Sequence, residues 1–477
     1  MSLDQKIETF FSPIAEGLSS IVFYHWQLMG QDVPLIVIWL ALAALIFTLY
    51  FGFINIRGFK RALTIVSGKT HYGSGTGEIS HFQALSTAIS GTVGVGNIGG
   101  VAIAIAIGGP GAAFWLVIAG FLAMSTKFVE CTLGVKYRRV NADGSVSGGP
   151  MYYLEHYFSS RNLPKLGKFL GGFYALALVI GCLGIGNMFQ SNQAYVQIVT
   201  ITGGANSLFA ERGWLFGLLL ALLVGAVIIG GIRSIAKVAA ALVPVMAIIY
   251  CLSAIIIIIL SAEHLLGAIQ LIFTSAFAWQ SVHGGMIGAI IIGFQRALFS
   301  NEAGIGSASI AHSAVKTDEP ISEGLVSLLE PFIDTVLICT ITSLVIVTTA
   351  YPNGLMDSNL GLEGIALTSA AFAHHISWSP ILLGIAALLF AFSTAIAWSY
   401  YGLKAWSYLF GESILAQGLF KTIFCGFIAI GCMVELSAVL DFSDAMVFLI
   451  AIPNIIGLYL YAPEVKRDLA NYLQRNP

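Results

Sequence analysis

Two short stretches of this 477-residue chain carry residue types suited to holding a small polar ligand. The first is Ser90-Gly91-Thr92-Val93-Gly94-Val95-Gly96-Asn97-Ile98-Gly99-Gly100. Each glycine weakens a helix by about 1 kcal/mol relative to alanine, so this density predicts an interruption. Amides freed at the start of a half-helix carry partial positive charge and suit a carboxylate. Unwound carbonyls suit a desolvated cation such as Na+. The second stretch is Ser300-Asn301-Glu302-Ala303-Gly304-Ile305-Gly306-Ser307, which sets a carboxylate and an amide inside an apolar region.

The two stretches match at one constant offset. Ser90 aligns with Ser300, Gly94 with Gly304, Gly96 with Gly306, Ala104 with Ala314 and Pro110 with Pro320. The plainer reading of the glycines is close packing of helices. A matched pair of glycine-interrupted spans points instead to a binding site near the bilayer midplane, provided the two spans run in opposite directions.

The elements that must position these stretches are membrane helices. Hydrophobic residues make up 57% of the chain and charged residues 10%, too few charges to cover a soluble surface. That excludes a soluble enzyme, a nucleic-acid-binding protein and a disordered chain. Charge-free runs such as Ile79 to Thr126, Phe169 to Ala210 and Gly364 to Leu403 exceed the ~20 residues a spanning helix needs. They lack the alternation of transmembrane strands. The fold class is therefore an all-α polytopic membrane protein.

Eleven spans are expected, at 33–53, 82–108, 111–135, 167–200, 213–231, 236–261, 284–311, 322–350, 380–408, 417–438 and 444–462. The intervening segments then alternate in charge. On one side lie Arg57, Lys60, Arg61, Lys69, Lys136, Arg138, Arg139, Arg161, Lys165, Lys168, Arg233, Lys237, Lys316, Lys404, Lys421, Lys466, Arg467 and Arg475. The other side has Lys6 and Arg212, and Lys127 and Arg296 fall in spans. The positive-inside rule places the N-terminus outside and the C-terminus in the cytoplasm. Under this topology the spans holding Gly94 and Gly304 run in opposite directions, as an inverted repeat requires. The first apolar run is long enough to span and no basic region precedes it, so no cleavable signal peptide is expected. The six cysteines lie in apolar runs and suggest neither disulfides nor a metal site.

At this point several motifs agree in order with one family. Ala84 to Trp115, Gly148 to Glu155, Gly186 to Asn192 and Leu298 to Ala308 resemble the alanine or glycine:cation symporter family over nearly the whole chain. The resemblance implies a leucine-transporter (LeuT) fold, with two inverted five-helix repeats behind an extra N-terminal helix and two discontinuous helices. The implied divisions are 1–81, 82–261, 262–462 and a cytoplasmic tail, 463–477. The implied activity is carriage of a small neutral amino acid, alanine or glycine, with Na+ as the coupling ion and no prosthetic group. The implied place is the cytoplasmic (inner) membrane.

The resemblance also implies site residues. Backbone amides at Thr92, Gly94 and Gly96 would meet the substrate carboxylate, with Asn97 beside them. Gln190, Phe299, Ser300, Asn301 and Trp398 would complete the substrate pocket. Carbonyls of Ser90 and Val93, with the hydroxyls of Ser393 and Thr394, would hold the cation. Asn187 lies three residues from Gln190, on the same face of an α-helix. Glu302, Arg296, Glu330, Asp334, Lys127 and Glu130 are intramembrane ionisable groups, expected to pair with one another in gating or structural salt bridges. His374 and His375 are expected at the outer interface.

The reading is therefore secondary symport by alternating access. Its rivals are a proton-coupled or glutamine-type carrier of the same fold and, from another class, a channel. A channel needs a continuous pore, usually lined from several subunits. No nucleophile–base pair or metal cluster suggests an enzyme.

Overall fold

The computed structural model describes residues 3–28, 31–69, 75–141, 144–279, 285–356 and 360–476. An amphipathic helix, α1 (Leu3–Val22), and a hairpin of β1 (His25–Leu28) and β2 (Gln31–Pro34) precede the first apolar helix, α2 (Leu35–Tyr50). Then come α3 (His81–Thr92), α4 (Gly99–Gly108), α5 (Gly111–Lys136), α6 (Pro150–Ser159), α7 (Pro164–Ile201), α8 (Gly213–Ile228) and α9 (Gly231–Leu260). The chain continues with α10 (Ala262–Ala276), α11 (Gly285–Asn301), α12 (Ser307–His312) and α13 (Pro320–Ala350). It ends with α14 (Ile365–His375), α15 (Ser379–Phe410), α16 (Ile414–Gly431) and α17 (Leu436–Arg475).

Each of the eleven segments expected to span is mainly helical, but 33–34 belong to β2 and the expected span 417–438 crosses the turn at 432–435 between α16 and α17. Among the described residues, seven helices are long and apolar enough to cross a membrane: α5, α7, α9, α13, α15, α16 and α17. A further span is the pair α3–α4, bent by 58° at the glycine-rich stretch. The shorter α2 and α8 are apolar too, and α11–α12 form the second interrupted pair.

Ser80 fixes the start of α3. Its Oγ accepts from Gln83 N at 3.2 Å and its own N–H donates to Gln83 Oε1 at 3.0 Å, a reciprocal cap. Small residues then let α5 lie close to its neighbours. A Cβ on Gly134 would sit 2.6 Å from the Ser309 carbonyl oxygen, and one on Gly120 would sit 2.5 Å from Thr335 Cγ2.

The structure adds elements to the segments between spans. Helix α1 is too polar to register as an apolar run, yet its acids do specific work. Asp4 Oδ2 accepts from Gly213 N at 3.3 Å and Glu8 Oε2 from Glu435 N at 2.7 Å, so α1 caps the starts of α8 and α17. Helix α14 is tied down where Gln193 Oε1 accepts from Ile365 N at 3.0 Å and Thr368 Oγ1 donates to Ile98 O at 3.2 Å. Helix α17 runs past the expected 462 to Arg475. Charges end its apolar run but not its helix, because Lys136 pairs with Glu464 and Asp468.

The basic segments converge at one end of the bundle. Arg138 donates to carbonyls of Thr76, Ser313, Val315 and Thr317, and Ile79 forms a parallel bridge with Val315. Lys404 Nζ reaches Val146 O at 2.8 Å and Ser147 Oγ at 2.9 Å.

Candidate functional site

The first break lies between α3 and α4. Thr92 ends α3, Val93 and Gly94 are extended, and a single 3₁₀ turn spans Val95–Asn97. The freed amides have partners. Gly94 N donates to Asn97 Oδ1 at 2.8 Å and Val95 N to Gln190 Oε1 at 2.9 Å. Gln190 is oriented for this, since its Nε2 donates to Ile185 O at 3.1 Å. A Cβ on Gly94 would lie 2.7 Å from both Gln190 Oε1 and Thr394 Oγ1, so only glycine fits. Phe189 and Phe299, edge to face with centroids 5.2 Å apart, approach the Cβ position of Gly96 at 3.9 and 4.0 Å. The Thr92 hydroxyl turns back to Ala88 O and Ile89 O, leaving only its backbone for a ligand.

Asn97 joins the two breaks. Its Nδ2 faces Ser300 Oγ at 3.2 Å and Asp334 Oδ1 at 2.6 Å. Ser300 Oγ donates to Asp334 Oδ2 at 2.8 Å. Asp334 therefore belongs with the site residues, not in a structural salt bridge with a cation. A π-helical stretch over Phe332–Cys339 breaks the 3.6-residue spacing that would set Asp334 on one face with Glu330, four residues earlier. The sequence signal was available: a carboxylate three residues after Pro331, at the head of a charge-free apolar run.

The second break is built on left-handed backbone at Glu302 (φ 57°), Gly304 (φ 90°) and Gly306 (φ 86°). Asn301 belongs to this turn: its Oδ1 accepts from Ala303 N at 3.0 Å and its Nδ2 donates to Thr335 Oγ1 at 3.1 Å. Glu302 accepts from Trp398 Nε1 at 2.8 Å and from Ser307 Oγ at 2.5 Å. Glu130 Oε1 accepts from Gly304 N at 2.8 Å and from Asn454 Nδ2 at 2.7 Å. Trp398 packs against Gly186, where a Cβ would fall 1.9 Å from the indole Cγ. Its polar atom thus serves the second break by way of Glu302.

The expected cation group is drawn together from α3 and α15. Ser90 Oγ donates to Ser393 O at 2.7 Å, and Ser393 Oγ turns back to Phe390 O at 3.0 Å. Thr394 Oγ1 is buried with no hydrogen-bond partner and lies against Gly94. A buried hydroxyl left open among oxygen donors fits a hard cation such as Na+.

The remaining ionisable groups separate into pairs. Lys127 Nζ lies 2.9 Å from Glu330 Oε1, both fully buried. Arg296 pairs with Asp444, not with Glu302. Asn187 and Gln190 do not share a role: the π-helical turn Gly184–Met188 directs Asn187 Nδ2 to Phe424 O at 2.7 Å, on α16. His375 Nε2 meets Ser261 Oγ at 2.7 Å. All the expected site side chains are buried, Ser300 the most exposed at 5%. The site is enclosed by protein.

Residues 16–477 match the sodium:alanine symporter family. The chain belongs to that family. It is 39% identical over 433 residues to the sodium/alanine symporter AgcS of Methanococcus maripaludis, covering 90% of this chain and 91% of that one. It is 32% identical over 444 residues to the probable sodium/glutamine symporter GlnT of Bacillus subtilis, covering 92% of this chain and 88% of that one. In three dimensions it is similar to MhsT, solved in complex with L-phenylalanine. The TM-score is 0.60 at 16% identity, over 81% of this chain and 89% of that one, which is a likeness of fold. As a member of the sodium:alanine symporter family the chain is a secondary amino-acid transporter, not an enzyme. Na+ enters such a carrier as cargo, not as a resident cofactor.

Proposed function

We propose that the chain imports alanine, and glycine through the same pocket, each with Na+, across the inner membrane. The N-terminus lies outside and the C-terminus inside. Residues 82–261 and 262–462 act as the two inverted repeats, with 1–81 and 463–477 outside them. The cargo carboxylate is held at the Gly94–Gly96 amides beside Asn97, Gln190 and Ser300. Na+ is held by the Ser90 and Val93 carbonyls with Ser393 and Thr394.

The observation that carries the size of the cargo is the aromatic wall. A Cβ placed on Gly96 would meet Phe189 and Phe299 in ordinary contact at 3.9 and 4.0 Å, so the two rings wall the space beside the unwound turn, which favours a small side chain over a longer one. The convergence of basic segments at one end supports the orientation. Na+ helps order the unwound turn and so raises affinity for the amino acid, and the coupling is reciprocal.

Uptake of labelled alanine into proteoliposomes tests this, under an inward Na+ gradient, an equal K+ gradient or a proton gradient alone. Uptake overshooting equilibrium only with Na+ is the expected result. Overshoot with protons alone reassigns the ion. Overshoot with glutamine in place of alanine reassigns the cargo.

A further inference from the structure

A second polar system lies away from the cargo site, at the end of the bundle where the basic segments meet. Glu323, at the start of α13, receives two imidazoles. His81 Nδ1, at the start of α3, faces Glu323 Oε2, and His312 Nδ1, at the end of α12, lies 2.6 Å from Glu323 Oε1. The other ring nitrogen of His312 faces Glu330 Oε2 at 3.8 Å. Both of those atoms are buried and make no hydrogen bond. Glu330 in turn holds Lys127 through its other oxygen. The chain Lys127–Glu330–His312–Glu323–His81 thus threads α5, α13, α12 and α3, of which α3 and α12 each flank one of the two breaks.

Charge balance decides what this system holds. Glu323, Glu330, His312 and Lys127 are fully buried, and a buried charge must be compensated. Lys127 neutralises Glu330, leaving Glu323 with two imidazoles and no metal-ligand cluster beside it among the described residues. The account closes with one further proton, on His312, as an imidazolium between Glu323 and Glu330. Other charged groups facing the cluster are Glu130 from α5, Arg138 from just past the end of α5 with Asp318 near it, and Glu302 from the turn before α12. Arg138 is engaged by carbonyls, Glu130 by Gly304 and Asn454, and Glu302 by Trp398 and Ser307.

Access to this proton is gated. The His81 side chain is 15% exposed whereas Glu323 and His312 are fully buried, so His81 is the lid of the cluster.

We infer that His81, Glu323 and His312 form a proton-binding site that latches the basic end of the carrier shut. The proton is given up to the solution at that end when α3 moves away and is taken back on closing. Without the proton, buried Glu323 keeps only Arg138 as a counter-charge, beyond ion-pair distance, so alkaline solution at that end favours opening and acid favours closure. Intramembrane chains of carboxylates and imidazoles are relays of this kind. The inference does not depend on which amino acid is carried.

Right-side-out membrane vesicles test it, with luminal pH varied from 6 to 8.5 and the outer pH, Na+ gradient and membrane potential held fixed. The initial rate of Na+-driven alanine uptake is expected to change by about threefold or more over this range in the wild type. His312→Gln is expected to show a flat profile. A flat wild-type profile overturns the inference, as does a variant that keeps the wild-type profile. If His312→Gln does not reach the membrane, His81→Gln, at the accessible rim, takes its place with the same expectation. Spectra of ¹⁵N-histidine-labelled protein in nanodiscs decide independently of cargo. A slowly exchanging imidazolium N–H pair is expected, lost in His312→Gln, and its absence from the wild type overturns the site. No alanine uptake at any luminal pH would refute the cargo and leave the spectra to decide the proton site.

Discussion

Asn97 Nδ2 lies 2.6 Å from Asp334 Oδ1, while the same side chain's Oδ1 accepts from Gly94 N at 2.8 Å. One amide therefore spans from the unwound backbone to a carboxylate on α13, and Asp334 decides which way that amide points. Hydrogen bonds to charged groups contribute ~1.5–3 kcal/mol each, or roughly ten- to hundredfold in an equilibrium. Asp334→Asn is expected to raise the Na+ concentration for half-maximal uptake by about tenfold or more at unchanged membrane abundance. A wild-type Na+ activation curve in that variant would remove Asp334 from the site.

Gly94 and Gly100 make an internal comparison. A methyl at Gly94 meets Gln190 and Thr394 at 2.7 Å, whereas a methyl at Gly100 meets nothing within 4 Å. Gly94→Ala is expected to abolish uptake and Gly100→Ala to retain it. Equal activity in the two would show that the turn around Gly94 repacks freely.

Thr394 offers the open hydroxyl of the cation group. Thr394→Ala is expected to lose Na+ stimulation, and Thr394→Ser to recover most of it. Isothermal binding of alanine with and without Na+ checks this, because the lost term lies in the coupling between the two ligands.

Lys127 and Glu330 are a fully buried pair. Lys127→Met leaves a bare carboxylate and is expected to lower stability by about 3 kcal/mol or more. Adding Glu330→Gln should restore part of that loss. Thermal melts of both proteins in one detergent provide the comparison, and a double variant no more stable than the single one contradicts it.

The spans were legible because apolar length is a strong signal, and the breaks because glycine density at membrane depth is rare. Ser90, Asn97, Gln190, Ser300 and Thr394, read from different parts of the chain, gather about the two breaks. What escaped the sequence follows from changes of helical period. The π-helical turns at Gly184–Met188 and Phe332–Cys339 shift side chains off the 3.6-residue spacing, so Asn187 parts from Gln190 and Asp334 parts from Glu330. Polar α1 escaped because only apolar runs mark a span. The partner of Arg296 escaped because Asp444 is distant in sequence and stands at the first residue of an expected span.

The unwound turn comes already furnished. Gly94 N and Val95 N, the amides of the first break, donate to Asn97 Oδ1 and Gln190 Oε1. At the proposed site an arriving carboxylate would replace an amide oxygen at each of these donors. Loading is a swap, not an addition, and its net gain is the margin by which an anion outbids a neutral oxygen. Such a margin is small, which keeps the cargo easy to release at the far side. It also penalises molecules that lack the anion: alaninamide would have to unseat the same oxygens with nothing better to offer.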